Sequence, residues 1–478
     1  MPGLSLADYD TAHHLDEMFD GSGGIRGPYR AFGERIEQLG WERLNLLQHA
    51  TERAQRSFGM TFNVYSDQQG TERILHLDII PRIIAGAEWD RLQRGLEQRI
   101  RAVNAFIADV YGEQAILADG IVPRDLVLSS ACYLEQCRGL RPPKDVWCHI
   151  SGSDLIKGDD GEFYVLEDNL RCPSGVSYML ENREILKRSF PEVFEQLRVR
   201  PVTDYVHHLR GMLESLSREP SPNVVVLTPG AYNSAYFEHS YLAQQLGADL
   251  VEGRDLVVQD DFVYEVTTRG LVKVDVIYRR VDDDFIDPLV FRKDSLLGTP
   301  GLFEAFRKGN VALVNAPGTG FADDKAVYAY IPRIVEYYTG EKPLLKNVQT
   351  YICAEADDLA YVLEHIDELV VKQTDASGGY GMLVGPKSTK AECAAFAERV
   401  RAKPRNYIAQ PMINLSRVPT LAEDGIEGRH VDLRPYILFG DEVNITPGAL
   451  TRVALRRGSI VVNSSQGGGS KDTWVVDE

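Results

Sequence analysis

The sequence has no apolar run approaching the roughly 20 residues that a membrane-spanning helix needs. It is also short of positive charge, with 52 Lys and Arg against 70 Asp and Glu, a net charge of -18. That balance repels phosphodiester backbones and anionic lipid, so neither a nucleic acid nor a membrane is expected as a partner. Cysteine is scarce: Cys132, Cys137, Cys148, Cys172, Cys353 and Cys393 form no C-x-x-C pair and no zinc-type spacing, and read as reduced thiols. The first residues, from Met1-Pro2-Gly3-Leu4-Ser5 onward, contain no basic segment followed by an apolar one. No secretory signal is expected, and the protein is assigned to the cytoplasm. Common nucleotide-binding signatures are missing as well: there is no G-x-x-x-x-G-K-[ST], no kinase H-R-D or D-F-G, and no G-x-G-x-x-G.

What is present, in 478 residues with 44% hydrophobic content, suffices for two to four domains with a continuous core. Leu92, Leu96, Ile100, Val103, Ile107 and Val110 follow Trp89 at three- and four-residue spacing and stop at Gly112, which predicts an amphipathic helix. A second helix is predicted from about Tyr29 to Arg56, so the first third reads as mainly helical. Residues 146–150, 154–156 and 163–166 then read as strands, with a hairpin signal at Gly158-Asp159-Asp160-Gly161. The proline-broken stretch 217–223 marks a domain boundary, and beyond it a strand at 224–227, a helix to about Leu246 and a strand near Leu250 give the β-α-β order of an open sheet. The resulting division is 1–216, a helical region with the strands of a possible metal site; 217–320, a Rossmann-like unit; and 321–478, which alternates strands, helices and glycine-rich loops.

The most informative segment is Phe163-Tyr164-Val165-Leu166-Glu167-Asp168-Asn169. On a strand, Glu167 and Asn169 point one way and Asp168 the other. With a loop of 158–161, Lys157 pairs with Glu162 and Asp154 with Val165, which brings Asp154 to the face of Glu167 and Asn169. Three hard oxygen donors on one face suit Mg²⁺. A solvated polar hairpin face is the plain alternative.

A second constellation is the strand 369–373 bearing Lys372, which opens into Ala376-Ser377-Gly378-Gly379-Tyr380-Gly381. Glycines let backbone N–H groups approach phosphate oxygens, and a lysine leaving the strand neutralises them; an ordinary glycine turn is the alternative. Lys325 begins a helical stretch after the loop 317–320, and by itself reads as a solvated surface lysine. The strand 407–410, ended by Pro411, could hold an adenine ring or simply be core. Asp432-Leu433-Arg434, Thr451-Arg452 and the run Asn463 to Lys471 with its three glycines follow. Arginines there suit a transferring phosphoryl group, and the glycines suit a closing loop.

The order of these pieces resembles the circularly permuted ATP-grasp proteins, relatives of glutathionylspermidine synthetase and eukaryotic-type glutathione synthetase. The closest likeness is to the type 2 group, through Leu166-Glu167-Asp168-Asn169-Leu170-Arg171, Pro173 to Tyr178, His239-Ser240-Tyr241-Leu242-Ala243, Tyr278-Arg279-Arg280-Val281-Asp282-Asp283, and Asn463 to Trp474, over most of residues 70–478. The resemblance implies an α/β (α+β) fold, a circularly permuted ATP-grasp with a helical N-terminal part and an inserted Rossmann-like substrate domain. It implies a ligase that uses ATP and Mg²⁺ to join a small carboxylic acid to an amine through an acyl-phosphate. Asp154, Glu167 and Asn169 would hold magnesium. Lys325 and Lys372 would contact phosphates covered by Ser377, Gly378 and Gly379. Gln410 would lie by the adenine, and Arg434 would stabilise transferred charge. A nucleotide-binding regulatory or scaffold protein is the alternative. One departure stands out: glutathione-type enzymes carry an R-x-D pattern at the metal aspartate, whereas Gly152 precedes Ser153-Asp154 here. Arg171 is a candidate substitute, and glutathione and γ-glutamylcysteine are expected to be poor acids.

Overall fold

Apolar residues from Trp89 to Val110 form the helix Gly86–Tyr111, whose buried stripe faces the centre of the molecule. The computed structural model describes residues 6, 9–11, 14–64, 71–374, 381–423, 425–459, 462 and 467–477. Trp89, Leu96, Phe106, Ile107 and Val110 are wholly buried, each contributing about 1.5–3 kcal/mol. They cover one face of a seven-stranded sheet ordered Lys346–Asn347, Phe163–Asn169, Ile150–Lys157, Arg434–Phe439, Val443–Val453, Gly469–Val476, Leu77–Ala85. Its outermost pairs are parallel and the inner pairings antiparallel. Helical segment Arg30–Ser57, broken at Gly40 where φ is +68°, and helix Val176–Ser189 lie on the other face. Alternation along Gly469–Val476 feeds both sides: Val475 joins Trp89 and Leu92 in one core, while Trp474 and Val476 join Phe32 and Leu186 in the other.

The first third is mainly helical, as expected, but it also contains Leu77–Ala85, an edge strand of the central sheet that the sequence reading missed. That strand is buried on both faces except at its end, so it shows no polar–apolar alternation to betray it. Strands from 434–476 pair with Ile150–Lys157 and Leu77–Ala85, so the central sheet draws strands from both ends of the chain.

Between these strands the chain builds two further units. Ala312–Val314, Val276–Arg279, Val224–Leu227 and Asp249–Val251 form, in that order, a parallel sheet, with Tyr236–Leu246 as a crossover helix. Tyr351–Ile352, Tyr407–Pro411, Leu369–Gln373 and Leu383–Val384 form an antiparallel sheet backed by helices Ala356–Glu364 and Lys390–Ala402. This second unit encloses its own core around Val362, Val371, Phe396 and Ala409. Among the described residues no helix is long and apolar enough to cross a membrane.

Candidate functional site

The site begins at the hairpin of Ile150–Lys157 and Phe163–Asn169, where two departures from the expected register cancel. The loop is one residue longer than the glycine cluster suggests: Lys157 faces Phe163 rather than Glu162, and the Gly158 N–H donates to the Glu162 carbonyl at 3.0 Å. Continued unchanged, that register would set Asp154 opposite Leu166 and turn it away from Glu167. A bulge at Leu166 restores the parity, so Asp154 stands opposite Glu167 rather than Val165, and Gly152 opposite Asn169. Asp154, Glu167 and Asn169 share one face, though by a different pairing.

The carboxylate of Asp154 is paired with two arginines. It accepts from Arg434 Nε at 2.5 Å, Arg434 Nη2 at 2.7 Å and Arg452 Nη2 at 2.6 Å. Burial pushes Asp154 up, but the two guanidinium groups outweigh it and hold the carboxyl well below the usual range. Arg452 in turn is anchored by Asp432, which accepts from its Nε at 3.0 and 2.9 Å. Glu167 is the opposite case. Burial and the neighbouring Asp154 charge push it up, and its nearest cation, Lys325 Nζ, is 3.7 Å from Oε2.

Gly152 lies under the stem of Arg434: a Cβ there would meet Arg434 Cγ at 3.5 Å and Cδ at 3.6 Å. The guanidinium groups beside Asp154 come from the strands Arg434–Phe439 and Val443–Val453. Arg171, the substitute read from sequence, is paired instead with Asp323 at 3.0 Å and Asp282 at 3.9 Å.

Two lysines approach from separate segments. Lys325 opens the short helix Lys325–Tyr328, capped by Asp324 Oδ1, which accepts from the Ala326 N–H at 2.8 Å. Lys372 lies on Leu369–Gln373 and donates to Gln410 Oε1 at 2.7 Å, and Gln410 Nε2 donates to Thr350 Oγ1 at 2.9 Å. Val370 pairs with Gln410, so Lys372 and Gln410 are diagonal neighbours on one face. Desolvation pulls Lys372 down to about 8; the like charge of Lys325 adds to that, while Glu167 and Asp154 oppose it. Gln410, expected by the adenine, sits on an interior strand paired on both edges, with its side chain bonded to Lys372 and Thr350.

Ser377, Gly378 and Gly379 lie outside the described residues, as does 463–466 of the expected closing loop. Among the described residues no three Asp, Glu, His or Cys side chains converge as a metal cage. The donors that fit Mg²⁺ are the under-neutralised Glu167 and Asn169, whose Nδ2 donates to the Gly152 carbonyl at 3.2 Å and leaves Oδ1 as its ligand atom. Asp154 fits less well as a ligand than the sequence suggested, because three guanidinium N–H groups already occupy its oxygens. Sequence reasoning counted Arg452 only among the arginines suited to a transferring phosphoryl group and gave Asp432 no role. The available signal was strand alternation: Leu450 pairs with Arg434, and Arg452 lies two residues on, on the same face.

The family described as circularly permuted ATP-grasp type 2 matches residues 81–454. An uncharacterised protein of Synechocystis sp. is 57% identical over 476 residues, spanning 99% of both chains. A Frankia alni protein named "Putative glutamate--cysteine ligase 2-3" is 43% identical over 476 residues, 99% of this chain but 55% of that one. Among solved structures, the apo form of a glutathione synthetase-like effector from Globodera pallida has a TM-score of 0.57 at 12% identity, covering 91% of this chain and 98% of that one. That likeness is one of fold.

Proposed function

The chain belongs to the circularly permuted ATP-grasp type 2 family, and from that premise we propose that it uses ATP to join a small carboxylic acid to an amine through an acyl-phosphate. The observation that carries this reading is the meeting of Glu167, Lys325 and Lys372, drawn from three separate segments, beside an arginine pair anchored on Asp154 and Asp432. Cations gathered from distant parts of a chain around one under-neutralised carboxylate suit a polyanion that arrives with its own divalent ion.

In this reading Lys325 and Lys372 bind the phosphates of ATP, and Glu167 and Asn169 would hold Mg²⁺, which would supply positive charge at the phosphate oxygens. A substrate carboxylate oxygen attacks the γ-phosphorus and the bond to ADP breaks. The amine nitrogen then attacks the acyl carbon, phosphate leaves, and the nitrogen loses a proton. Arg434 and Arg452, the first already bidentate on Asp154, neutralise the charge spread over the transferring oxygens. No side-chain nucleophile takes part. Residues 217–320 would form the substrate-binding unit, and the cytoplasm, where thiols stay reduced, is the proposed compartment.

The Frankia relative's name points to glutamate and cysteine as substrates. This chain matches only about half of that longer protein, so the pair enters here as one member of a wider panel. The test is ADP release across acids and amines with Mg²⁺ present, with mass analysis of the products. Release should depend on one acid–amine combination and yield a condensed product lighter than the two together by one water. ADP release indifferent to every acid, with no condensed product, would leave the reading without support.

A further inference from the structure

The four-stranded sheet carrying Lys372 has a hydrophobic core of its own on one side, while Ile352 and Ile408 of the same sheet join one of the two cores that flank the central sheet. Such a unit is held in place by what crosses its boundary. Several of those crossing contacts meet at one guanidinium. Arg405 lies in the short turn Pro404–Asn406, between helix Lys390–Ala402 and strand Tyr407–Pro411. Its Nη2 donates to the Leu126 carbonyl at 2.8 Å and to Asp324 Oδ2 at 3.1 Å, its Nε to Ser129 Oγ at 3.3 Å, and its Nη1 to Thr374 Oγ1 at 3.4 Å.

Each partner leads somewhere specific. Leu126 and Ser129 belong to helix Arg124–Leu128 and its C-terminal cap, in the body of the protein. Asp324 is the buried N-cap of the helix that Lys325 opens, so one of its oxygens fixes that helix while the other holds Arg405. Thr374 lies two residues beyond Lys372; its carbonyl accepts the Lys325 N–H at 3.2 Å, and its own N–H donates to Asn406 at 3.0 Å. Arg405 therefore touches the mounting of both lysines without touching either side chain.

From this geometry we propose that Arg405 is a positioning residue, a latch that holds the lysine-bearing sheet against the body and sets the spacing of Lys325 and Lys372. The inference rests on the reading that these two lysines bind the phosphates of ATP. The fork of donors matters, because a lysine ammonium at 405 is a single point that cannot span acceptors in three segments.

The test uses the full chain and calorimetric titration with a non-hydrolysable ATP analogue and Mg²⁺. Arg405→Ala and Arg405→Lys should each weaken binding about tenfold, the scale of losing charge-assisted hydrogen bonds. Arg401→Ala, which removes an exposed arginine paired with Glu398, should leave affinity unchanged. Combined with Lys325→Ala, the Arg405→Ala effect should shrink, since one lysine alone has no spacing to set. A merely structural role would lower the melting temperature, leave the affinity of the folded protein intact and give no such coupling; either wild-type affinity or full additivity overturns the proposal. If Arg405→Ala does not fold, Arg405→Lys carries the same comparison. Affinity lost in Lys325→Ala and Lys372→Ala but kept in both Arg405 variants removes the latch alone, whereas affinity kept in the lysine variants removes the nucleotide reading and the latch with it.

Discussion

The two faces of one hairpin carry neighbouring carboxylates with opposite fates. On one face Asp168 is buried and clamped by Arg99, with Nε at 3.0 and 2.9 Å and Nη2 at 2.6 Å, while Ser153 Oγ donates at 2.8 Å. Arg99 continues through Nη1 to Asn347 Oδ1 at 2.8 Å and ties in the edge of the sheet. One residue earlier, on the other face, Glu167 has a lysine at 3.7 Å as its nearest ion-pair partner, and burial with the Asp154 charge pushes its carboxyl up. A carboxylate whose charge is fully matched within the protein holds the fold together. One left short of positive charge is available to a cation brought from outside. Asp154 stands between them: it shares the face of Glu167 but is matched like Asp168, which makes it the anchor of the arginines.

The sharpest way to break this contrast is to neutralise each carboxylate in turn. Glu167→Gln should cut Mg²⁺-dependent turnover at least about a hundredfold and leave the unfolding transition in place. Asp168→Asn should do the reverse, destabilising by about 3–5 kcal/mol because it strands the buried Arg99, with turnover per folded molecule retained. Steady-state kinetics beside denaturant unfolding reads both; a stability loss in the first and an activity loss in the second would invert the account.

A second, smaller effect concerns Lys372. Lys372→Ala should weaken binding of an ATP analogue about tenfold or more, while Lys387→Ala should not, because only the former removes a charge-assisted contact to phosphate. The pH dependence carries the same signature. Lys372 sits at about 8 in the free protein, so it is charged below that pH, and a bound polyanion raises its pKa. Binding should therefore weaken as the pH climbs above about 8 and take up a proton there, measurable by titration in buffers of differing ionisation enthalpy. The same depressed pKa means the unfolded chain holds this proton to higher pH, so the free protein gains rather than loses stability as pH rises from about 8 toward the ordinary lysine value. The Lys372→Ala variant should lose both trends. Smallest of all, Gln410→Leu removes the acceptor that orients Lys372 and should weaken nucleotide binding by about fivefold, near 1 kcal/mol.

Part of this was legible in the sequence. The helix at 86–111 follows from its spacing, and the shared face of Glu167 and Asn169 follows from alternation alone. Asp154 reached the right face through two errors of one residue that cancelled, a longer loop and the bulge at Leu166, neither of which leaves a mark in residue types. The strand Leu77–Ala85 was missed because both its faces are buried. Arg452 and Asp432 were visible as residues, but the role of Arg452 depends on a pairing with Asp154 across 298 positions of chain that no local pattern encodes, and Asp432 acts by anchoring that arginine. The partners of Arg405 span three segments for the same reason.

The central claim is that this site activates a carboxylate as an acyl-phosphate, and hydroxylamine tests it most directly. With ATP, Mg²⁺ and the correct acid present, hydroxylamine in place of the amine should accumulate a hydroxamate, detected by its ferric complex and by mass, with none formed when any one of the three is left out and none from Glu167→Gln. Glutathione and γ-glutamylcysteine test the missing R-x-D arginine within the same assay, and should give less hydroxamate than the best acid. ATP bound or hydrolysed with no hydroxamate from any acid in the panel would contradict the ligase account and favour a nucleotide-binding module instead.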